Sequence, residues 1–319
     1  MSSEPRIDPV GGQAVMEGVM MRSRNRLAIA VRKPDGTVLV EVRPWFSLTD
    51  ASILKKPLIR GFPVLLETLV NGLSALNFSA KQCLDEEVDG ELKPWHMALT
   101  LSAAVAMALG LFVVAPHLIS LGLNSLKVSG DVNSLSFHIW DGVFKLLIFV
   151  GYILGISMVP DVRRVFEYHG AEHKVIRAHE KGVELSPETV RTFSRLHPRC
   201  GTAFVLFVLA ISIVLYAVLV PYLLTWYSPQ NAVLKQAYVI GMKFLLMIPI
   251  SSLAFEIIKL SGKFQDNFFC KLLTFPGLAL QRLTTKEPDD GQIEVAIAAL
   301  TGALGESCEA AEIPLALKD

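Results

Sequence analysis

Two long stretches without a single charged side chain constrain this chain more than anything else in it. No Asp, Glu, Lys or Arg occurs from Pro94 to Leu126, or from Gly201 to Leu234. A helix needs about 20 predominantly apolar residues to cross a bilayer. An apolar run longer than that in a soluble protein would have to face water. The first span is read as about Met97–Leu121 and the third as Ala203–Trp226. Two less pure spans are read at about Phe137–Val159 and Ala237–Ile258. They carry Asp141 and Lys145, and Lys243, Pro249 and Glu256, respectively. Hydrophobic residues make up 52% of the 319 and charged residues only 19%, with a mean hydropathy of +0.45. A soluble domain carries about 25% charge. The expected fold is mainly α: four transmembrane helices, cytoplasmic amphipathic helices and a small N-terminal β-hairpin.

Lys and Arg set the expected orientation. Residues 1–94 carry twelve, residues 161–201 carry eight and the tail from Lys259 carries six. The two short loops on the other side carry Lys127 and Lys235 alone. The excess of basic residues on cytoplasmic loops places both termini and the 160–202 loop in the cytoplasm. The protein is therefore expected in the cytoplasmic membrane, with the lipid bilayer as its principal partner. Zero net charge gives no reason to expect nucleic acid. The first 25 residues lack a continuous apolar core, so no signal peptide is expected. Cys83, Cys200, Cys270 and Cys308 all fall on the cytoplasmic side, where thiols stay reduced.

The chain divides into residues 1–94, residues 95–258 with the 160–202 loop between spans two and three, and residues 259–319. Leu27–Lys33 and Thr37–Arg43 alternate apolar and polar residues around Pro34-Asp35-Gly36, as a β-hairpin does. Phe62, Leu65, Leu66, Leu69, Leu73 and Leu76 recur at helical spacing, with Glu67, Asn71 and Ser74 on the other face. That helix lies on the membrane or packs on the bundle. Cys83–Lys93 reads as an acidic linker. Pro288-Asp289-Asp290 reads as a helix start, followed by Ile293, Ile297, Leu300 and Leu304 on one face. Asp141, Lys145 and Lys243 are expected toward the outer helix ends, paired or snorkelling to the interface. His96, His117 and His138 are expected at interfaces.

The 160–202 loop carries the chemistry. His169-x-x-Glu172-His173 puts two imidazoles on one helical face, where they can share a metal ion. Glu172 beside them is the candidate catalytic base for polarising water. The order H-x-x-E-H is that of the inverzincin metalloproteases. A third ligand is needed, and His197-Pro198-Arg199-Cys200-Gly201 offers His197 and Cys200, both of them zinc-type donors. Glu167 and Glu17 are further options. Arg199 has the fork that binds phosphate or carboxylate. The competing reading makes the same side chains a hydrogen-bonded polar cap joining loop to bundle.

Gly11-Gly12-Gln13-Ala14-Val15-Met16-Glu17-Gly18-Val19-Met20-Met21-Arg22 adds a third motif. Its Gly-Gly-Gln matches the release-factor tripeptide, but nothing else in the chain resembles such a factor. Together with Glu167–Lys174, His197–Thr202 and the tail Leu283–Asp290, this opening motif resembles the bacterial YqhQ family over about Gly11 to Leu300. The resemblance implies a multi-pass membrane protein of a family described as predicted metal-dependent enzymes. The leading expectation is a membrane-embedded metal-dependent hydrolase with a cytoplasm-facing site, a divalent metal ion of the zinc type, and a lipid-linked or membrane substrate. The alternative is a non-enzymatic assembly factor or regulator with a structural or sensing cluster. The oligomeric state is not legible in the residues.

Overall fold

The computed structural model describes residues 10–49, 53–83, 94–263 and 267–305. The 84–93 part of the expected linker, and Cys308, lie outside them. Four strands come first, β1 (Val10–Val15), β2 (Gly18–Ser23), β3 (Arg26–Arg32) and β4 (Val38–Pro44). They form one antiparallel sheet in the order β1-β2-β3-β4. The expected hairpin is β3–β4, paired from Arg26↔Pro44 to Arg32↔Val38. The sequence reading stopped short of β1–β2. The glycine-rich motif folds into that second hairpin, turning at Met16-Glu17, with Glu17 at φ 48°.

The helices are α1 (Gly61–Cys83), α2 (Pro94–Leu109), α3 (Ala115–Ser125), α4 (Leu135–Ile156), α5 (Pro160–Glu180), α6 (Pro187–Arg191), α7 (Gly201–Trp226), α8 (Ala232–Lys263), α9 (Phe268–Thr284) and α10 (Asp290–Leu304). A π-helical turn, Gly110–Val114, joins α2 to α3. Four stretches are long and apolar enough to cross a membrane: Ser102–Ser125, Leu135–Ile156, Gly201–Trp226 and Ala232–Ser261. They match the four expected spans with shifts of a few residues at their ends.

A single core unites distant parts of the chain. Val19, Met21, Ala28 and Ala30 of the sheet meet Tyr168, Ala171 and Val175 of α5 and Ile293, Ala296 and Leu300 of α10. Residues before the first span, between the second and third, and after the fourth thus share one body. That requires an even number of crossings between them, which four spans satisfy. Asp289 caps α10 as the sequence indicates, in a reciprocal capping box with Gln292.

Helix α1 turns the usual amphipathic arrangement over. Its packed face is Gly61, Pro63, Glu67, Asn71, Gly72, Ala75 and Ser79, whereas Leu69, Val70, Leu73 and Leu76 are exposed. The polar face is inward because the segment leaving β4 needs acceptors. Glu67 takes the N–H groups of Leu48 and Thr49, each at 2.6 Å, and Asn71 takes that of Phe46 at 3.1 Å. The first turn of α1 is fixed to α8. Arg60 forms a two-pronged ion pair with Glu256, and Phe62 N–H donates to Ser252 Oγ.

The intramembrane charges are neither terminal nor snorkelling. Asp141, Lys145 and Lys243, with His117 and His138, are all buried in the bundle. Lys243 Nζ sits 2.8 Å from Asp141 Oδ1. Lipid gives an ammonium no alternative partner at that depth, so the charges pair across α4 and α8.

Candidate functional site

The 160–202 stretch is mostly helix rather than loop. Pro160 opens α5 in its first turn, where a missing N–H costs nothing, and Asp161 sits at the positive end of the helix dipole. The helix carries His169, Glu172 and His173 on one side. The chain then makes the short α6, capped by Ser186, and returns through His197-Pro198-Arg199-Cys200 to α7. Cys200 caps that helix, its Sγ accepting from Thr202 N–H at 3.4 Å.

This return brings three donors together. One ligand atom each from His169, His173 and Cys200 lies within 4.8 Å of the others. His169 Nε2 is 3.2 Å from Cys200 Sγ. Each imidazole has its other nitrogen committed. His169 Nδ1 is 2.8 Å from the Thr284 carbonyl, and His173 Nδ1 is 2.5 Å from the Arg195 carbonyl. A carbonyl can only accept, so both Nδ1 atoms carry a proton, and in a neutral ring the Nε2 atom then presents a lone pair. The centre therefore holds two imidazole lone pairs and a sulfur, with at most one thiol proton among them. Two ligands around zinc at tetrahedral geometry stand about 3.5 Å apart, from bond lengths of about 2.0 and 2.3 Å. The spacing and the donor chemistry fit such an ion.

His197 does not join these three. Its ring lies 5.7 Å from that of His173. Its Nδ1 accepts from Arg199 N–H and its Nε2 faces Glu180 at 3.4 Å. Burial, reinforced by the nearby Arg177, lowers its pKa to about 4. Glu17 and Glu167 lie elsewhere. Glu17 makes a two-pronged ion pair with Arg164 and accepts from Tyr168 OH at 3.3 Å, pinning the β1–β2 turn to α5. Glu167 accepts from Gln292 Nε2 at 3.0 Å, tying α5 to α10. Arg199 pairs with Glu180.

Glu172 is buried, and its carboxylate lies against β1. A Cβ on Gly12 would come within 2.9 Å of Glu172 Cγ and Oε1, so only glycine leaves room. Burial pushes this carboxyl above the usual range, opposed by the nearby His169 and His197. Burial likewise lowers the pKa of His173, opposed by Cys200. A cavity of about 290 Å³ opens over Glu172, His173, His197, Arg199 and Cys200. Its opposite wall is apolar, with Val64 and Leu65 from α1, Phe204 from α7 and Phe255 and Ile258 from α8.

Several positioning residues escape a motif search. Gln281 is fully buried in α9 and clamps the His197 backbone with two hydrogen bonds of 2.8 Å. Its signal was the lone amide of that helix, next to Arg282. Gly170 lets the chain after α9 cross α5, since a Cβ there would sit 2.0 Å from the Lys286 carbonyl oxygen. That crossing, held by Lys286 N–H to Phe166 O at 2.8 Å, delivers the Thr284 carbonyl to His169. The carbonyls of Thr284 and Arg195 have no sequence signal at all.

Residues 56–306 match the family described as a protein of unknown function, DUF1385. The chain belongs to that family. It is also 36% identical over 309 residues to the uncharacterized protein YqhQ of Bacillus subtilis (strain 168), covering 92% of each chain. No solved structure matches it. The resemblance carried by the three motifs and the tail thus extends over 92% of the chain.

Proposed function

We propose that this protein is a membrane-embedded metal-dependent hydrolase whose site lies at the cytoplasmic face of the bundle and acts on an amphiphilic, membrane-associated substrate. The observation that carries the reading is the convergence of His169, His173 and Cys200, with both Nδ1 protons committed to backbone carbonyls. Three such donors leave a tetrahedral ion one open position, as catalytic zinc sites do. A zinc-type ion held there would supply a Lewis acid for a carbonyl or phosphoryl oxygen. Glu172 takes the proton of the attacking water. Its burial keeps the carboxyl closer to neutral pH than a surface glutamate, which suits a general base. Arg199, at the rim, holds a carboxylate or phosphate by its fork. The apolar wall from α1, α7 and α8 takes a lipid-like chain.

The basic residues of 1–94, 161–201 and the tail support a cytoplasmic position for this body. The exposed leucine face of α1 then rests on the inner leaflet, and both termini are cytoplasmic. The test uses zinc-loaded protein in nanodiscs of bacterial lipid extract, with the lipid and peptide pool followed by mass spectrometry. Wild type generates a hydrolysis product. Glu172→Gln keeps its metal and generates none. A pool unchanged by wild type, or changed equally by Glu172→Gln, overturns the reading.

A further inference from the structure

A second polar centre lies inside the bundle, far from the His/Cys site in the chain. Lys145 is the eleventh residue of the 22-residue α4, about 15 Å along a helix rising 1.5 Å per residue. It is therefore near the middle of the span. Lys145 and Lys243 share one carboxylate, Asp141. Lys243 has the closer contact, 2.8 Å against 3.6 Å for Lys145. His117 adds no negative charge. Its Nδ1 lies 3.2 Å from Lys243 Nζ and accepts from it, while Nε2 faces Gln236 Oε1 at 3.0 Å. Two lysine amines against one carboxylate leave one amine in excess, on residues 6% exposed or less. An uncompensated charge at that depth is costly.

The excess falls on Lys145, and Lys145 is the member of the group that reaches open space. It lines a cavity of about 180 Å³ with Ser212 and the ring of Tyr216, over which its Nζ stands at 4.7 Å. The rest of the lining is apolar, including Phe112, Phe149 and Val205. Val205 is 43% exposed on the outer surface of α7, so the cavity opens sideways to where lipid chains run. Phe112 and Val113 reach it from the π-helical turn. Such turns are rare and recur at functional sites.

We propose that this cavity is a lipid-facing binding site for the anionic head of a single-chain amphiphile, a fatty carboxylate or a single-chain phosphate. Lys145 holds the head, and the chain leaves past Val205 into the bilayer. The site is independent of the His/Cys centre and of whether the protein is a hydrolase.

The experiment is binding to the full chain in a neutral maltoside detergent. Radiolabelled palmitate, single-chain lysophosphatidate, hexadecanol and inorganic phosphate serve as probes. Palmitate or lysophosphatidate binds saturably, one per chain, and the preferred one identifies the head. Hexadecanol, with the same tail and no charge, binds at least about tenfold more weakly, the loss of one charge-assisted hydrogen bond. Lys145→Met loses the same factor. Val205→Trp, on the lipid-facing surface away from the charges, closes the mouth and abolishes binding without disturbing the fold. The proposal is overturned if hexadecanol binds as well as palmitate, if Val205→Trp or folded Lys145→Met binds like wild type, or if inorganic phosphate alone competes fully.

Discussion

Replacing Glu67 by leucine tests how α1 is held against the sheet. The carboxylate is fully enclosed and accepts from Leu48 N–H and Thr49 N–H at 2.6 Å, Thr49 Oγ1 at 2.8 Å, Ser47 Oγ at 3.2 Å and Trp45 Nε1 at 3.3 Å. Hydrogen bonds to a charged group contribute about 1.5–3 kcal/mol each. The two short backbone bonds alone amount to about 3–6 kcal/mol. At about 2–4 °C per kcal/mol for a protein of this size class, Glu67→Leu lowers the unfolding midpoint by about 10 °C. Trp45 reports the change directly, because its indole loses the partner at 3.3 Å. Intrinsic-fluorescence melting of the detergent-solubilised protein is the assay. The same carboxylate makes a pH prediction. Burial alone would raise its pKa, but the hydrogen bonds from Thr49, Leu48 and Trp45 outweigh burial and hold it below the ordinary value. Its contribution is therefore complete above the unfolded pKa of about 4.3 and is lost as pH falls through the folded one. The variant loses that acid sensitivity. A melting midpoint within about 2 °C of wild type would refute the reasoning that the inward polar face of α1 is structural.

Gly170→Ala places a methyl group 2.0 Å from the Lys286 carbonyl oxygen. It costs about 2–3 kcal/mol of overpacking and pulls the Thr284 carbonyl from His169, so thermal stability and metal retention fall together. His197, with its pKa near 4 in the fold, makes stability rise with pH between about 4 and 6.5. The unfolded state binds the extra proton there, worth about 3 kcal/mol in total. In acid-unfolding curves His197→Asn flattens that rise. Gln281→Leu leaves the His197 backbone N–H and carbonyl without partners. It lowers the melting temperature by several degrees, at about 1–3 kcal/mol for each buried group left unsatisfied.

The four spans were legible because bilayer thickness demands a length of apolar sequence that nothing else in a protein requires. The β3–β4 hairpin and the start of α10 were legible because a turn and a cap need particular residues at particular places. The β1–β2 hairpin was not, since its glycines read equally as turns or as close approach. Only the packing of α5 on β1 shows that Gly12 admits Glu172. On α1 periodicity identified a leucine stripe but could not say which face is inward. That was decided by the unsatisfied N–H groups of Phe46, Leu48 and Thr49 in a different segment. The spacing of His169 and His173 showed that they share a face. The choice between His197 and Cys200 needed the tertiary path of residues 181–200, which turns the sulfur toward His169 and the His197 ring toward Glu180. The charges on α4 and α8 were visible, but their depth was not, because burial inside the bundle depends on which helix faces meet.

Metal content of the purified full chain, prepared without chelators and measured by plasma mass spectrometry, bears most directly on the central claim. Wild type carries about one zinc-type ion per chain, the capacity of a single site with three protein donors. His169→Ala and Cys200→Ala lose it, while Cys83→Ala, remote from the centre, keeps it. A wild-type protein free of transition metal, or a Cys200→Ala protein that retains a full complement, would contradict the account.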